Sequence, residues 1–118
     1  MLNSIVAPVG RYSSALHAAP NPFSPDGDGQ EDHTVVSYRL AADAGYTSIR
    51  IFDVYGRLIR TLMERERGGY EGETVWDGRD DLSRRVRMGM YILHLEAFDE
   101  SGTMVATARG VVALAGRL

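Results

Sequence analysis

Four oxygen-bearing side chains recur at every second position of one short stretch: Asp26, Asp28, Gln30 and Asp32. In an irregular loop that spacing can aim alternate oxygens at a common point, as a hard cation such as calcium requires. The stretch is Asn21-Pro22-Phe23-Ser24-Pro25-Asp26-Gly27-Asp28-Gly29-Gln30-Glu31-Asp32, and its composition excludes regular helix or strand. Pro22 and Pro25 fix φ and remove backbone donors, while Gly27 and Gly29 admit positive φ. The pattern is not an EF-hand. Counted from Asp26, the sixth position is Glu31 rather than Gly, and the twelfth is Ser37 rather than Glu. A second reading stays open beside calcium: a pair of turns with solvated carboxylates, since Asp-Gly is common for turn reasons alone.

No other constellation supports catalysis, and the chain is not expected to be an enzyme. His17, His33 and His94 are dispersed, whereas zinc needs ligands converging at tetrahedral spacing. No nucleophile-elbow pattern accompanies any serine. Trp76-Asp77-Gly78 reads as a core ring, a turn-capping carboxylate and a positive-φ glycine; an exposed Trp76 would instead stack on a ligand. Arg79, Arg84, Arg85 and Arg87 lie beside Asp80 and Asp81 in what reads as a mixed surface loop. Put to use, such a loop would contact a partner's carboxylates or phosphates.

The elements that must carry these loops are strands. His33–Leu40 alternates, with Val36, Tyr38 and Leu40 on one face. Thr47–Tyr55 follows, with Ile49 and Ile51 inward, Ser48 and Arg50 outward, and a shifted phase or two covered faces at Phe52 and Val54. Arg57–Met63 continues after a turn at Gly56, and Glu64-Arg65-Glu66-Arg67 reads as a solvated strand end. Glu73–Trp76 is short. The polar loop to Gly89 has Val86 and Met88 as anchors. Met90–Phe98 places Tyr91, Leu93, Leu95 and Ala97 on one face, with His94 opposite. Glu100-Ser101-Gly102 is a hairpin turn before a last strand, Thr103–Leu114. With Ser14–Ala19 as a first strand, the count is about seven at the turn spacing of an antiparallel β-sandwich. Helical periodicity is absent.

Composition narrows the partners. The 118 residues suit one domain, and 44% hydrophobic content is enough for a core without covalent staples. Cysteine is absent, which removes disulfides and thiolate metal sites. A net charge of −3 argues against nucleic acid or an anionic membrane as the main partner. All 13 cations are arginine, which fits either a GC-rich coding bias or selection for ion pairs. Residues 1–19 lack the basic start and unbroken apolar run of a secretory signal, since Asn3, Pro8, Gly10 and Arg11 interrupt them. They read as a linker remnant of a larger protein plus the first strand, with the domain proper over 20–118. No run is long enough to span a membrane.

Three pieces taken together resemble a known family. They are Asn21-Pro22-Phe23-Ser24-Pro25-Asp26-Gly27-Asp28-Gly29 with Asp32; Ile51-Phe52-Asp53-Val54-Tyr55-Gly56-Arg57; and Trp76-Asp77-Gly78-Arg79-Asp80 followed by Gly89-Met90-Tyr91-Ile92. Their order and spacing resemble the immunoglobulin-like C-terminal sorting domains of gliding-associated type IX secretion cargo, and are similar also to the Ig-like domain of the flagellar hook cap. The resemblance implies an all-β, immunoglobulin-like sandwich of about seven strands, placed last in an exported bacterial protein. It implies an address read by the outer-membrane translocon, with a sortase cutting upstream, and a secreted or cell-surface destination reached through the periplasm. The alternatives are an Ig-like accessory or spacer module of an adhesin or extracellular enzyme, with carbohydrate as its ligand, and a hook-cap-like assembly domain.

Overall fold

A computed structural model describes residues 14–27, 29, 32–40, 44–67 and 69–116. Seven strands are present among them: β1 Ala15–Ala19, β2 Thr34–Arg39, β3 Tyr46–Asp53, β4 Leu58–Arg67, β5 Glu71–Trp76, β6 Gly89–Phe98 and β7 Met104–Leu114. They form two antiparallel sheets, ordered β1-β2-β5 and β4-β3-β6-β7. No described residue is helical. The fold is therefore the expected all-β, immunoglobulin-like sandwich.

Alternation explains the packing. A strand presents successive side chains to opposite faces, so each strand contributes every second residue to the space between the sheets. β2 supplies Val36 and Tyr38, β3 supplies Ile49 and Ile51, and β6 supplies Tyr91, Leu93, Leu95 and Ala97, all buried. Leu40, just past β2, and Trp76, at the end of β5, are buried as well. Leu16 and Ala18 of β1 join them, as do Val112 and Leu114 of β7.

One expectation about a single residue is refined and one is corrected. Ser48 stands on the outward face, paired with Glu96 in an unbroken β3–β6 register, yet it is buried. The β3–β4 pairing slips between Thr47 and Ile49, so that Glu64 and Arg65 of β4 both stand opposite Ser48, and its hydroxyl accepts the amide of Arg65 at 2.9 Å. Met88 does not anchor its loop in the core: it is 60% exposed, while Val86 packs inward as expected.

One side of the sandwich is closed across the gap between its sheets. β1 runs beside the edge of β7, and a Cβ at Gly110 would lie 2.5 Å from the carbonyl oxygen of Leu16. Only glycine lets the two backbones approach this closely. Beyond β1 the chain bridges onto β7, with Phe23 parallel to Leu114. The amide of Phe23 donates to the carbonyl of Ala113 at 3.1 Å, and that of Ala115 to the carbonyl of Phe23 at 2.8 Å. The upper part of the β7 edge, residues 111–115, is thereby covered, which removes part of an open template for foreign strands.

Candidate functional site

The register places all the motif stretches at one end of the sandwich. Ala19 pairs with Val35 and Thr34 with Trp76, so the end of β1, the start of β2 and the end of β5 coincide. Asp53 pairs with Tyr91, and Gly89 with Leu114, which brings the end of β3, the start of β6 and the end of β7 to the same level. Hence the Asn-Pro and Asp-Gly loop, the turn after Asp53, the loop after Trp76 and the Gly89-Met90-Tyr91 segment share one surface.

Their inner residues form one aromatic stack. The ring of Phe23 meets Trp76 edge-on at 5.5 Å between centroids, and Trp76 meets Tyr91 edge-on at 5.4 Å. Such tilted pairs align ring edges with ring faces. Trp76 is fully enclosed and its Nε1 donates to the carbonyl of Arg79 at 2.9 Å. The hydroxyl of Tyr91 donates to the carbonyl of Arg87, four residues upstream, at 2.6 Å. This is the tyrosine corner of immunoglobulin-like folds, transferred to the start of β6. Gly78 sits at φ +79°, and a Cβ there would lie 2.7 Å from Cγ of Pro25. Glycine is therefore required both by conformation and by the proline packed against it.

Asn21 performs a task that only the tertiary fold reveals. Its Nδ2 donates to the carbonyl of Val111 at 2.9 Å and its Oδ1 accepts the amide of Ala113 at 2.8 Å. A single side-chain amide thus occupies the donor and acceptor that β7 would otherwise show to solvent. The motif Asn-Pro-Phe reads as a clip: Asn21 grips the last strand and Phe23 plugs the core beside Trp76.

The residues singled out for calcium divide. Asp28 and Gln30 lie outside the described residues. Asp32 accepts the amide of Gly27 at 3.0 Å on Oδ1 and that of Gly29 at 2.7 Å on Oδ2. It therefore braces the loop from within. Asp26 starts the loop, its amide bonded to the carbonyl of Ser24 at 2.8 Å. Among the described residues no group of three or more acidic or histidine side chains converges as a metal site.

Three turns share one design that the sequence showed only in part. In each, an aspartate carboxylate accepts the amides two and four residues on. Asp53 bonds Tyr55 and Arg57, Asp80 bonds Leu82 and Arg84, and Asp99 bonds Ser101 and Thr103, all at 2.9–3.0 Å. Each aspartate also exchanges backbone bonds with the fourth residue's carbonyl and the third residue's amide. The third residue holds positive φ: Gly56 at 83°, Ser83 at 65° and Gly102 at 90°. This is a type I turn closed by a left-handed residue. Glycine marks two of the three; Ser83 hides the third.

These bonds hold the carboxyls of Asp53, Asp80 and Asp99 below the ordinary carboxylate range. The main cause is the amide of Arg57 for Asp53, the amide of Arg84 for Asp80 and the Ser101 side chain for Asp99. Because the folded pKa values are depressed, the unfolded chain binds protons more readily. The stability so gained is present above the ordinary aspartate pKa and is lost as pH falls through the lowered folded values. The melting temperature should therefore fall on acidification below the usual carboxylate range. In a series measured from neutral to acid, Asp53→Asn combined with Asp80→Asn should flatten that fall, since asparagine keeps the turn but does not titrate there. An unchanged acid slope would remove these carboxylates from the account.

The family model described as the CHU_C type IX secretion signal domain matches residues 17–114. The chain belongs to that family. It is thus a sorting module related to type IX secretion, and the matched span takes in all the motif loops and six strands in full, with the greater part of β1. No curated protein matches the chain. Among solved structures it is similar to FlgD from Xanthomonas campestris, with a TM-score of 0.60 at 19% identity over 90% of this chain and 76% of that one. FlgD from P. aeruginosa aligns with a TM-score of 0.58 at 15% identity, covering 70% of this chain and 61% of the other. PorZ, described as an essential bacterial surface component of the type IX secretion system of Porphyromonas gingivalis, aligns with a TM-score of 0.53 at 22% identity, over 85% of this chain and 11% of its own. The chain thus spans less than two thirds of the P. aeruginosa FlgD and a small part of PorZ. At these identities the likeness establishes the shared sandwich and no more.

Proposed function

We propose that this CHU_C domain is a non-catalytic address: a folded C-terminal module that the outer-membrane type IX translocon recognises on an exported multidomain protein. The observation that carries the proposal is the family match over residues 17–114, joined to the finding that the motif side chains are spent on one structured end. Asn21, Phe23, Trp76, Gly78 and Tyr91 hold loops in place, and none of them is presented as a nucleophile or acid–base pair. A translocon reading such a module would read a shape rather than a linear peptide. Its delivered protein would reach the cell surface or medium by way of the periplasm, with a sortase acting upstream of the module. No described helix is long and apolar enough to cross a membrane. The test is a reporter with residues 14–118 at its C-terminus, followed by fractionation in a host with this secretion system. Loss of a basic side chain on the last strand, Arg109→Glu, should reduce export if that charge is read, with the fold unchanged.

A carbohydrate-binding role through Trp76 finds no support, since its ring is enclosed.

Calcium enters as a subordinate proposal. Asp26, Asp28, Gln30 and Asp32 are suited by type and spacing to hold one ion, which would stiffen the loop that carries the clip. An ion that binds only the folded state stabilises it by RT ln(1 + [L]/Kd). Millimolar calcium should raise the melting temperature relative to EDTA, and Asp28→Ala should abolish the rise. Identical melts in both conditions would dismiss the site.

A further inference from the structure

The motif end also carries a surface that the fold does not use. Between the turn after β3 and the loop before β6 runs a groove lined on one side by Val54, Tyr55 and Leu58 and on the other by Leu82, Met88 and Met90. All six are substantially exposed, Tyr55 at 82% and Leu82 at 70%. Solitary exposed apolar side chains need no explanation, but a contiguous group of this kind marks an interaction site.

The two walls are the same turn built twice. Tyr55 and Leu82 each stand two residues after a bracing aspartate, Asp53 and Asp80. In both turns the fourth residue is an arginine that returns to that aspartate, Arg57 Nε at 2.7 Å and Arg84 Nε at 3.0 Å. The pairs are lopsided. The side chain of Asp53 is 11% exposed against 73% for Arg57, and that of Asp80 16% against 71% for Arg84. The carboxylates face inward and the guanidiniums face solvent. Arg85 and Arg87 line the same groove, and no ion pair is seen for either among the described residues. Asp81 lines it too, its side chain 49% exposed with Arg60 Nε 3.9 Å away, so the groove sets Arg57, Arg84, Arg85 and Arg87 against Asp53, Asp80 and Asp81. The balance around the apolar floor is positive, on a chain whose net charge is −3. Arg57 also lies over the ring of Tyr55 at 5.5 Å, a cation–π contact.

We infer that this groove is the docking surface of the domain, and that its occupant is a protein segment presenting carboxylates beside aromatic or aliphatic side chains. Exposed arginines favour carboxylates through forked, charge-assisted bonds, and the apolar floor supplies the anchor pocket. Access fits this use: the chain enters at the start of β1, and the register puts that point at the opposite end of the sandwich from the groove. The inference rests on the sorting reading for the biological identity of the partner, and on the surface alone for its chemistry.

Two measurements keep those supports separate. In the first, the isotopically labelled chain is titrated with a synthetic peptide alternating glutamate with phenylalanine, and amide shifts are mapped. Shifts should fall on 54–58 and 82–91 and weaken with salt. They should vanish when lysine replaces glutamate or serine replaces phenylalanine. Arg85→Glu with Arg87→Glu, and separately Tyr55→Ser, should weaken binding about tenfold, as loss of an interface anchor does, without altering the melting temperature. Shifts elsewhere, equal shifts with the lysine peptide, concentration-dependent pairing of the chain through this face, or shifts with a soluble glucan instead would each overturn the proposal. In the second, the same variants are carried on the exported reporter, where export should fall by a similar factor. Failure of the unaltered fusion to leave the cell would count against the sorting reading, while the titration would still decide the groove. An unaltered fusion that is secreted equally with and without the groove variants would overturn the groove alone.

Discussion

Replacing Trp76 by alanine should remove about 3–5 kcal/mol of stability, the range for deleting a large buried aromatic. The indole is enclosed by Phe23 on one side and Tyr91 on the other, and its Nε1 satisfies the carbonyl of Arg79. Truncation would therefore leave a cavity, an unpaired carbonyl and two rings without their edge contacts. Small domains hold about 5–15 kcal/mol in all, so most of the margin would go. Urea unfolding should show a lower midpoint at unchanged slope. Trp76→Phe should recover part of the loss, since it restores a ring but not the donor. A cost below about 1 kcal/mol would mean that the three motifs do not meet around this ring.

Deleting Thr103–Leu118 should be more damaging still, and should abolish the cooperative transition. β7 is the sole described hydrogen-bonded neighbour of β6 on that side, paired from Gly89↔Leu114 to Phe98↔Met104. The deletion would bare the backbone edge of β6, withdraw Val112 and Leu114 from the core, and leave Asn21 and Phe23 with nothing to grip. Circular dichroism with a thermal melt should show no sharp transition. In the export assay the truncated reporter should stay in the periplasm. A truncated chain that still melted cooperatively near the full-length midpoint would contradict the role given to the last strand.

Much of this fold could be read from period-two alternation, and the reason is local. Val36, Tyr38, Ile49, Ile51, Leu93 and Leu95 fall at every second position of their strands, and each of these is buried. The hairpin turns at Gly56 and Gly102 were visible because left-handed backbone selects glycine. Where alternation misled, a tertiary event had intervened. Ser48 is buried on its outward face because a bulge in the neighbouring strand β4 sets two residues against it, and the alternation of β3 alone does not announce it. Met88 is apolar, yet its loop presents it outward at the groove. The function of Asn21 was hidden for the same cause: its partners, Val111 and Ala113, are some ninety residues away. The groove itself could not be foreseen. Asp53-Val54-Tyr55-Gly56-Arg57 and Asp80-Asp81-Leu82-Ser83-Arg84 look unalike until the shared φ sign of Gly56 and Ser83 shows them to be one turn. A search for aspartate followed four residues later by arginine would have flagged both. The calcium reading stands where the sequence left it, since Asp28 and Gln30 lie outside the described residues.

Whether the folded domain acts as an address is decided by one fractionation. A fluorescent reporter bearing residues 14–118 at its C-terminus is expressed with a periplasmic signal in a type IX-proficient host and in the same host lacking the outer-membrane translocon. The fraction of reporter in the medium and on the cell surface is measured in each. The expected result is export in the proficient strain, retention in the periplasm of the translocon-deficient strain, and retention in both when loss of the last strand destroys the fold. Equal release from the two strains, or equal release with and without the domain, would contradict the claim.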